Sequence, residues 1–391
     1  MRSVNQPPDD PEFIRNPYPF YRTLRAQGDF VFWEELEMPV AVTHEAVNSL
    51  MRHPHFGRQP ATENLAETDQ TSEFMRLYAR SLLRQEPPDH TRLRDLLERT
   101  FSPKRLQFLA PAISMKSDQL IEAFPSEPFD LLEYYSGPLP LCVIAKILGV
   151  PCYMANQLQK WSDAMIPDLQ TQAGNDAEAA ADQATREFSA YLREFLRVKD
   201  GLPGQDLTSD LLRAKANGDV DEDEIVAACM MLLLVGYEST MHALGSANVS
   251  LLNYENSRSA LVPEHICGTI EECLRHDPPV HLRLRYAYDD IQVLDQVFKQ
   301  GDVVGCLAAS ACRDDAIWAD SENFDPFRPQ INSVVFGAAI HHCLGAVLAR
   351  LLMQIALPIL FSRCPKLKIV EQPSYRNHLY NRNMKSLIVQ V

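Results

Sequence analysis

Residues 336–350 contain the cysteine of this chain that is best placed to bind a metal. Cys343 stands in a short turn-prone segment that leads directly into an apolar helical pattern from Leu344 to Phe361. The pattern predicts Cys343 at or just before a helix N-terminus, where backbone N–H groups and the helix dipole favour negative charge. A cysteine in such a place tends to be a thiolate, the form that ligates metals. The alternative is a buried structural cysteine.

Two histidines, His341 and His342, directly precede Cys343. Three consecutive side chains cannot converge on one tetrahedral ion, which normally takes ligands spaced along the chain. We therefore discard a zinc site in this segment.

A second candidate group opens a predicted helix. Pro87, Pro88 and Asp89 form a helix-start signal, and His90 and Arg94 follow it four residues apart. They therefore share one helical face. A cationic pair so placed suits an anion such as a carboxylate, and the alternative is an ordinary solvated face.

The longest helical pattern runs from Asp221 to Tyr254 and is almost wholly apolar up to Gly236. An all-round apolar helix is a buried one. Glu238 and Ser239 then need a reason, because burying an unpaired carboxylate is costly. One interpretation is a hydrogen-bonded structural carboxylate. The other is a helix break beside a reaction site, where Glu238 or Ser239 handles protons.

Further charged residues lie between 272 and 288. Glu272 and Arg275 are three apart on a predicted helix, which by itself is a common surface pair. Residues 280–288 alternate like a strand, with Arg283 and Arg285 on one face and leucines on the other.

Near the N-terminus, residues 30–42 have the composition of a hairpin, and Pro39 predicts an edge position for it.

Composition limits the class of protein. At 391 residues the chain exceeds the usual size of a single core, which by itself suggests two or more domains. The net charge of −15 argues against general affinity for nucleic acid. Nine scattered cysteines without a C-x-x-C pair suit a reducing cytosol. No apolar run approaches about 18 residues, so we expect a cytoplasmic protein without a membrane segment.

Four separated patterns now occur in one order: His-x-x-x-Arg, a mid-helix Gly-x-acid-hydroxyl, Glu-x-x-Arg, and the Phe-led segment around Cys343. Together they resemble the cytochrome P-450 superfamily, of the soluble bacterial type, from about Asn16 to the last predicted strands. The resemblance replaces the two-domain guess with one haem domain over 1–391 and implies no fused reductase. It implies a mainly α fold, a helical prism with β-rich portions near 28–43, 280–310 and 366–391. The haem would lie between the long central helix and the helix after Cys343.

The resemblance also implies roles for individual residues. Cys343 would be the axial thiolate ligand of haem b, donating electron density that favours O–O cleavage. Glu238 and Ser239 would form an acid–alcohol pair that delivers protons. Glu272, Arg275 and Arg328 would form a buried ion group that braces the structure. The residues implied to bind the haem propionates are His90, Arg94, Arg285 and His341.

Three positions depart from the family pattern. Ala339 replaces a glycine in the segment before Cys343, and a positive φ there would cost about 1 kcal/mol. Ser239 replaces the usual threonine, so its hydroxyl is less fixed. Val235 replaces a small residue, which narrows the space above the iron. The residues expected to line a substrate pocket are Met231, Val235, Leu282 and Arg283.

The function implied is a monooxygenase that inserts one atom of dioxygen into an apolar small organic substrate. Two electrons would come from a separate ferredoxin or flavodoxin, docking on a local basic patch for which Arg92, Arg99, Lys104 and Arg105 are candidates. The alternative is a peroxide-driven or oxygen-independent haem-thiolate enzyme, such as a peroxygenase, dehydratase or isomerase. A non-catalytic haem binder is a third possibility, against which the buried Glu238 argues.

Overall fold

The computed structural model describes residues 1–60, 72–170, 175–202, 204–329 and 332–391. Over these residues the chain is mainly helical with short strands, as the sequence predicted. The helices are α1 (Pro11–Arg15), α2 (Tyr18–Arg25), α3 (His44–Arg52), α4 (Glu73–Ala79), α5 (Asp89–Thr100), α6 (Pro103–Leu106), α7 (Ala110–Glu122), α8 (Pro138–Leu148), α9 (Ala155–Gln170), α10 (Asn175–Lys199), α11 (Leu207–Ala216), α12 (Glu222–Leu252), α13 (Ser257–Ala260), α14 (Ile266–His276), α15 (Ala308–Ala311) and α16 (Ala346–Arg363). The strands are β1 (Arg2–Val4), β2 (Phe30–Trp33), β3 (Met38–Ala41), β4 (Phe56–Gly57), β5 (Phe129–Asp130), β6 (Leu282–Ala287), β7 (Ile291–Val293), β8 (Gln296–Phe298), β9 (Val303–Leu307), β10 (Lys368–Ile369), β11 (Ser374–Tyr375), β12 (Met384–Ser386) and β13 (Ile388–Gln390).

The chain divides into two compact units. The first comprises Met1–Thr62, Ser117–Ser136 and Ser239–Val391, and the second comprises Glu63–Lys116 and Gly137–Glu238. Every strand given above belongs to the first unit, whereas the second unit is built from helices. The single domain spanning 1–391 stays a prediction.

The main sheet of the first unit has six strands in the order β1-β2-β3-β9-β6-β4. The predicted hairpin is present as β2 and β3, but β3 lies inside the sheet, so the edge position predicted from Pro39 is wrong. The reason is local. The parallel ladder with β9 begins at Val40, which pairs with Gly305, so the missing N–H of Pro39 falls outside that ladder.

Strand β6 lies between β9 and β4 and presents two different faces. Leu282 is 2% exposed and belongs to a hydrophobic core cluster with Trp33 and Val40. Because side chains alternate along a strand, Arg283 and Arg285 lie together on the opposite face. Leu282 therefore packs in the core on its face of the strand, and its role in lining a substrate pocket stays a prediction.

The acidic first turn of α12 fixes this helix within the second unit. Asp223 forms ion pairs with Arg76 of α4 and Arg193 of α10. These two arginines outweigh the effect of burial and lower the pKa of the Asp223 carboxyl to about 2. Asp223 therefore links three helices, in addition to placing negative charge at the positive end of the α12 dipole.

Helix α12 is a continuous α-helix from Glu222 to Leu252. The helix is therefore not interrupted around residues 236–240, where a helix break was one of the two interpretations. By length and composition α12 and α16 could each cross a membrane. In their most apolar windows, however, 61% and 44% of the residues are buried inside the protein, as expected for core helices.

Candidate functional site

The segment from Val334 to Gly345, here called the Cys loop, is closed by backbone hydrogen bonds. The amide of Cys343 donates to Phe336 O at 2.8 Å, and the amide of Gly337 donates to Val334 O at 2.9 Å. Gly337 has a φ of 75°, in the left-handed region that favours glycine. The Cys343 amide is thereby fixed at the end of a tight loop.

Cys343 lies where the sequence predicted it, just before a helix. Helix α16 begins at Ala346 with Gly345 as its N-cap residue, and Ala346 N donates to Cys343 O at 3.3 Å. The cysteine residue is exposed. An exposed thiol beside a helix N-terminus is suited to the thiolate form.

Ala339 has the positive φ that a glycine at this position of the family pattern suggests. Its φ is 54°, so an alanine occupies a left-handed site where the family pattern has glycine. For an L-residue this conformation costs about 1–2 kcal/mol, because the Cβ crowds the following carbonyl. The loop that presents Cys343 therefore contains local strain.

The first aromatic residue of the loop is covered by a cation that the sequence did not single out. The guanidinium of Arg350, on α16, lies 4.4 Å from the centroid of the Phe336 ring and also forms an ion pair with Glu271 of α14. This arrangement links both helices to the Cys loop. Phe336 lies before the helical pattern that contains Arg350, so sequence periodicity could not indicate this contact.

Glu272, Arg275 and Arg328 form a buried ion group, as the resemblance implied. Arg275 Nε lies 2.7 Å from Glu272 Oε2, and Arg328 Nε lies 3.3 Å from the same oxygen. The side chains of Glu272 and Arg275 are 1% and 3% exposed. Arg275 also donates to Cys312 O and Ser321 O, so the group pins the segment after α15 to α14.

Arg283 and Arg285, the two arginines of β6, each have a buried N–H group without a hydrogen-bond acceptor. Arg285 is 2% exposed, and its Nη1 donates only to the neighbouring carbonyl of Leu284. Buried Arg285 Nε and Arg283 Nη1 have no hydrogen-bond partner, and among the described residues no carboxylate forms an ion pair with either guanidinium. Buried cations without a counter-ion are costly. A bound group with carboxylates, such as a haem, fits this side of β6.

His90 and Arg94 both lie on α5, in the second unit. His90 is only 2% exposed, so it does not belong to a solvated face. Arg94 Nε lies 2.6 Å from Glu98 Oε1, one turn along the same helix. The predicted sharing of one face is present. Their binding to a propionate stays a prediction, as does that of His341, a half-buried residue of the Cys loop.

The residues predicted to act on substrate and protons follow one another along α12. Met231 is buried, whereas Val235, one turn later, is 42% exposed, which is unusual for an apolar residue in this helix. Glu238 and Ser239 are half-buried and follow in the same continuous helix. Adjacent helical residues point about 100° apart, so the two side chains diverge from the helix axis in different directions.

A buried polar cluster in the first unit was missed by sequence reasoning. Tyr18 Oη donates to Asp277 Oδ1 at 2.5 Å, and Arg382 Nε lies 3.4 Å from that oxygen. Tyr21 Oη lies 3.1 Å from His281 Nδ1. Burial, with further lowering by Arg382, brings the pKa of His281 to about 3. This cluster anchors the residue that directly precedes β6. Asp277 stands before Pro278 and Pro279, which is typical of a helix stop and does not indicate such a cluster.

Comparison with known proteins agrees with this arrangement. The family model described as "Cytochrome P450" matches residues 267–378, which span the Glu272 ion group, β6 and the Cys loop. Cytochrome P450 107B1 of Saccharopolyspora erythraea is 32% identical over 345 residues, covering 86% of this chain and 84% of the relative. The chain belongs to the cytochrome P450 family. The cytochrome P450 monooxygenase PikC of Streptomyces venezuelae is 30% identical, covering 97% of this chain and 92% of that protein.

The solved structures show that the fold is that of cytochromes P450. The crystal structure of P450BioI in complex with an acyl carrier protein ligated to hexadec-9Z-enoic acid superposes with a TM-score of 0.90. The two sequences are 28% identical, and the superposition covers 97% of this chain and 99% of P450BioI. The predicted fold class and family are therefore confirmed. As a P450 the protein is an oxidoreductase of a bacterial monooxygenase family whose members hold a haem-thiolate cofactor.

Proposed function

We propose that this P450 binds haem b through the Cys343 thiolate and oxidises an apolar small organic substrate with dioxygen and two electrons from a separate ferredoxin or flavodoxin. The observation that carries the proposal is that an exposed Cys343 and two guanidiniums with buried, unused N–H groups belong to the same compact unit. When bound, the haem would supply the reductive activation of dioxygen. A cytoplasmic location is part of the proposal.

Each proposed binding residue has a distinct task. Cys343 would ligate the iron, and its thiolate would donate electron density to it. Arg285 would donate its unused Nε–H to a propionate, where a charge-assisted hydrogen bond is stronger than a neutral one. His90, Arg94 and His341 would add further donors to the two propionates.

Glu238 and Ser239 would move protons. The carboxyl group of Glu238 can take protons from solvent, since the residue is half-buried, and the Ser239 hydroxyl can both accept and donate a proton. Threonine in place of Ser239 would add a methyl group that restricts χ1. Ser239→Thr should therefore raise the ratio of product formed to electrons consumed, and Ser239→Ala should lower it. An unchanged ratio in both variants would remove Ser239 from the proton route.

The axial ligand is tested by spectroscopy. Wild-type protein reduced under carbon monoxide should give the Soret band of a thiolate-ligated haem, and Cys343→Ser should abolish it. The matched control is Cys267→Ser, which changes another exposed cysteine and should leave the band intact. A thiolate-type band in the Cys343→Ser protein would show that the axial assignment is wrong.

The electron source separates this proposal from the peroxide-driven alternative, which the serine at position 239 keeps open. Turnover with NADH and a surrogate ferredoxin chain should exceed turnover with hydrogen peroxide alone. If peroxide alone supports turnover and electrons do not, the alternative holds.

Two of the four cations proposed for the docking patch form ion pairs within the protein, which reduces the net positive charge of the patch. Arg92 pairs with Glu224, and Arg105 pairs with Asp210. We therefore expect only a modest dependence of electron transfer on salt.

The substrate class is tested by titrating the ferric protein and following displacement of iron-bound water. Met231 and the exposed Val235 support an apolar compound that is slim or that approaches from the side. The panel should contain free apolar compounds together with the same acyl chains linked to a carrier protein, because P450BioI was crystallised with such a ligand. Responses confined to the linked forms would replace a free substrate with a carrier-tethered one.

A further inference from the structure

Arg283 is a second cation on β6, to which the family resemblance assigns no propionate. Of the two β6 arginines the resemblance assigns a propionate to Arg285, whereas Arg283 is among the residues expected to line a substrate pocket. Arg283 lies two residues earlier on the same face, half-buried, with a buried Nη1 that has no acceptor. Placing two like charges so close is costly. Arg283 therefore needs a role of its own.

The contact that Arg283 does make leads to the Cys loop. Its Nη2 donates to Val335 O at 2.6 Å. Val335 directly precedes Phe336, whose carbonyl accepts the amide of Cys343 at 2.8 Å. One side-chain hydrogen bond from β6 thus holds the peptide next to the bond that closes the loop around Cys343. This contact places Arg283 at the loop, whereas its place in a substrate pocket stays a prediction.

Charge links Arg283 to the same cysteine. Burial lowers the pKa of the Arg283 guanidinium and Arg285 lowers it further, whereas negative charge on Cys343 raises it. An arginine stays protonated in proteins despite such effects. Arg283 is therefore a fixed positive charge within electrostatic reach of Cys343.

We propose that Arg283 is a positioning residue for Cys343, which fastens the Cys loop to β6 through Val335 and supplies a fixed positive charge that favours the ferrous state of the haem-thiolate centre. This inference rests on the proposed function, since it takes Cys343 as the iron ligand. With haem bound, reduction would add one electron to the centre, and the positive charge of Arg283 would stabilise that added negative charge.

Two variants separate the two tasks. Arg283→Lys keeps the charge but loses the forked donor, whereas Arg283→Gln loses the charge and is too short to make the same contact. The matched control is Arg363→Gln, which removes one positive charge at the last residue of α16, where Arg363 pairs with Asp118. At 1.5 Å per residue this site lies about 25 Å along the helix from Ala346.

Two measurements on the haem-loaded protein read out these tasks. The first is the ferric/ferrous midpoint potential. The second is the rate at which the reduced carbon monoxide complex converts from its thiolate-type to its thiol-type Soret band in dilute urea. In Arg283→Gln the ratio of ferrous to ferric protein at a fixed potential should fall about tenfold, equivalent to a midpoint about 59 mV lower. Arg283→Lys and Arg363→Gln should keep the wild-type potential. Conversion should be at least about threefold faster in both Arg283 variants, because each loses the bond to Val335.

Equal midpoint potentials in Arg283→Gln and Arg363→Gln would overturn the role of the charge. Wild-type conversion rates in both Arg283 variants would overturn the role of the loop contact. If Arg283→Gln does not fold, Arg283→Lys decides: faster conversion at an unchanged potential supports the proposal, and a tenfold change in the ferrous-to-ferric ratio contradicts it. Absence of a thiolate-type band from the wild-type protein would instead be a failure of the proposed function.

Discussion

Replacing Ala339 by glycine should stabilise the Cys loop. Ala339 has a φ of 54°, which costs an alanine about 1–2 kcal/mol relative to the right-handed region. Glycine removes that cost, but it loses about 0.4–1 kcal/mol through the greater freedom of its unfolded chain. The net gain expected for Ala339→Gly is therefore about 0.5–1 kcal/mol.

Ala338 provides a matched control at the neighbouring position. Its φ and ψ of −148° and 169° are extended backbone, and the residue is 3% exposed. Ala338→Gly therefore relieves no strain, adds the same chain entropy and removes a buried methyl group. It should destabilise the protein by about 1–2 kcal/mol. The same substitution at adjacent residues thus has opposite predicted signs.

Hydrogen exchange measured on peptides covering residues 336–345 tests this reasoning directly, because the Cys343 amide closes the loop. A gain of about 0.5–1 kcal/mol slows local opening about two- to fivefold in Ala339→Gly. Exchange in Ala338→Gly should become faster. If Ala339→Gly exchanges as fast as wild type or faster, the left-handed alanine is not a source of strain and the argument fails.

Three further outcomes are expected. Glu272→Gln should lower the free energy of unfolding by about 3–5 kcal/mol in urea titrations, because Arg275 and Arg328 lose their buried counter-ion. The control Asp118→Asn removes the partner of the exposed Arg363 and should lower that free energy by less than about 1 kcal/mol. His276 and His281 have pKa values near 3, below the unfolded value of 6.5. Since the unfolded state then binds more protons, stability should be full above pH 6.5 and fall towards pH 3, by up to about 1.4 kcal/mol per pH unit for each histidine. The pH slope of His281→Gln, followed by urea midpoints between pH 8 and 4, should be smaller by one histidine's share, and an unchanged slope would contradict this assignment.

Local patterns predicted the helices that carry the site because each had a clear boundary. Helix α5 begins at Asp89, where Pro87, Pro88 and Asp89 predicted a helix start. The placement of Cys343 before α16 followed from the same kind of signal. The roles of the other binding residues required the family resemblance. Arg285 lies in β6 and Cys343 just before α16, and the periodicity of one element cannot show whether they are close.

Long-range packing explains the predictions that were wrong or missing. Pro39 indicated an edge strand, yet β3 is interior because its ladder with β9 starts one residue later. Gly236 suggested a helix break as one of two interpretations, and α12 is continuous there. The contact between Arg283 and Val335 joins residues 52 positions apart, which no sequence window can reveal.

The buried cluster around Asp277 has a consequence for how the chain reaches its native state. Tyr18 and Asp277 are 259 positions apart, and Arg382 donates to a carbonyl 368 positions earlier. During synthesis, Tyr18 is made long before Asp277, and the Asp277 carboxylate has no ion pair with Arg382 until that residue is also made. Contacts between residues so far apart in the sequence form slowly, because large loops must close first. Until Arg382 has left the ribosome, β6 therefore begins beside an incompletely compensated carboxylate, and the strand that carries Arg283 and Arg285 should be among the last parts to become rigid.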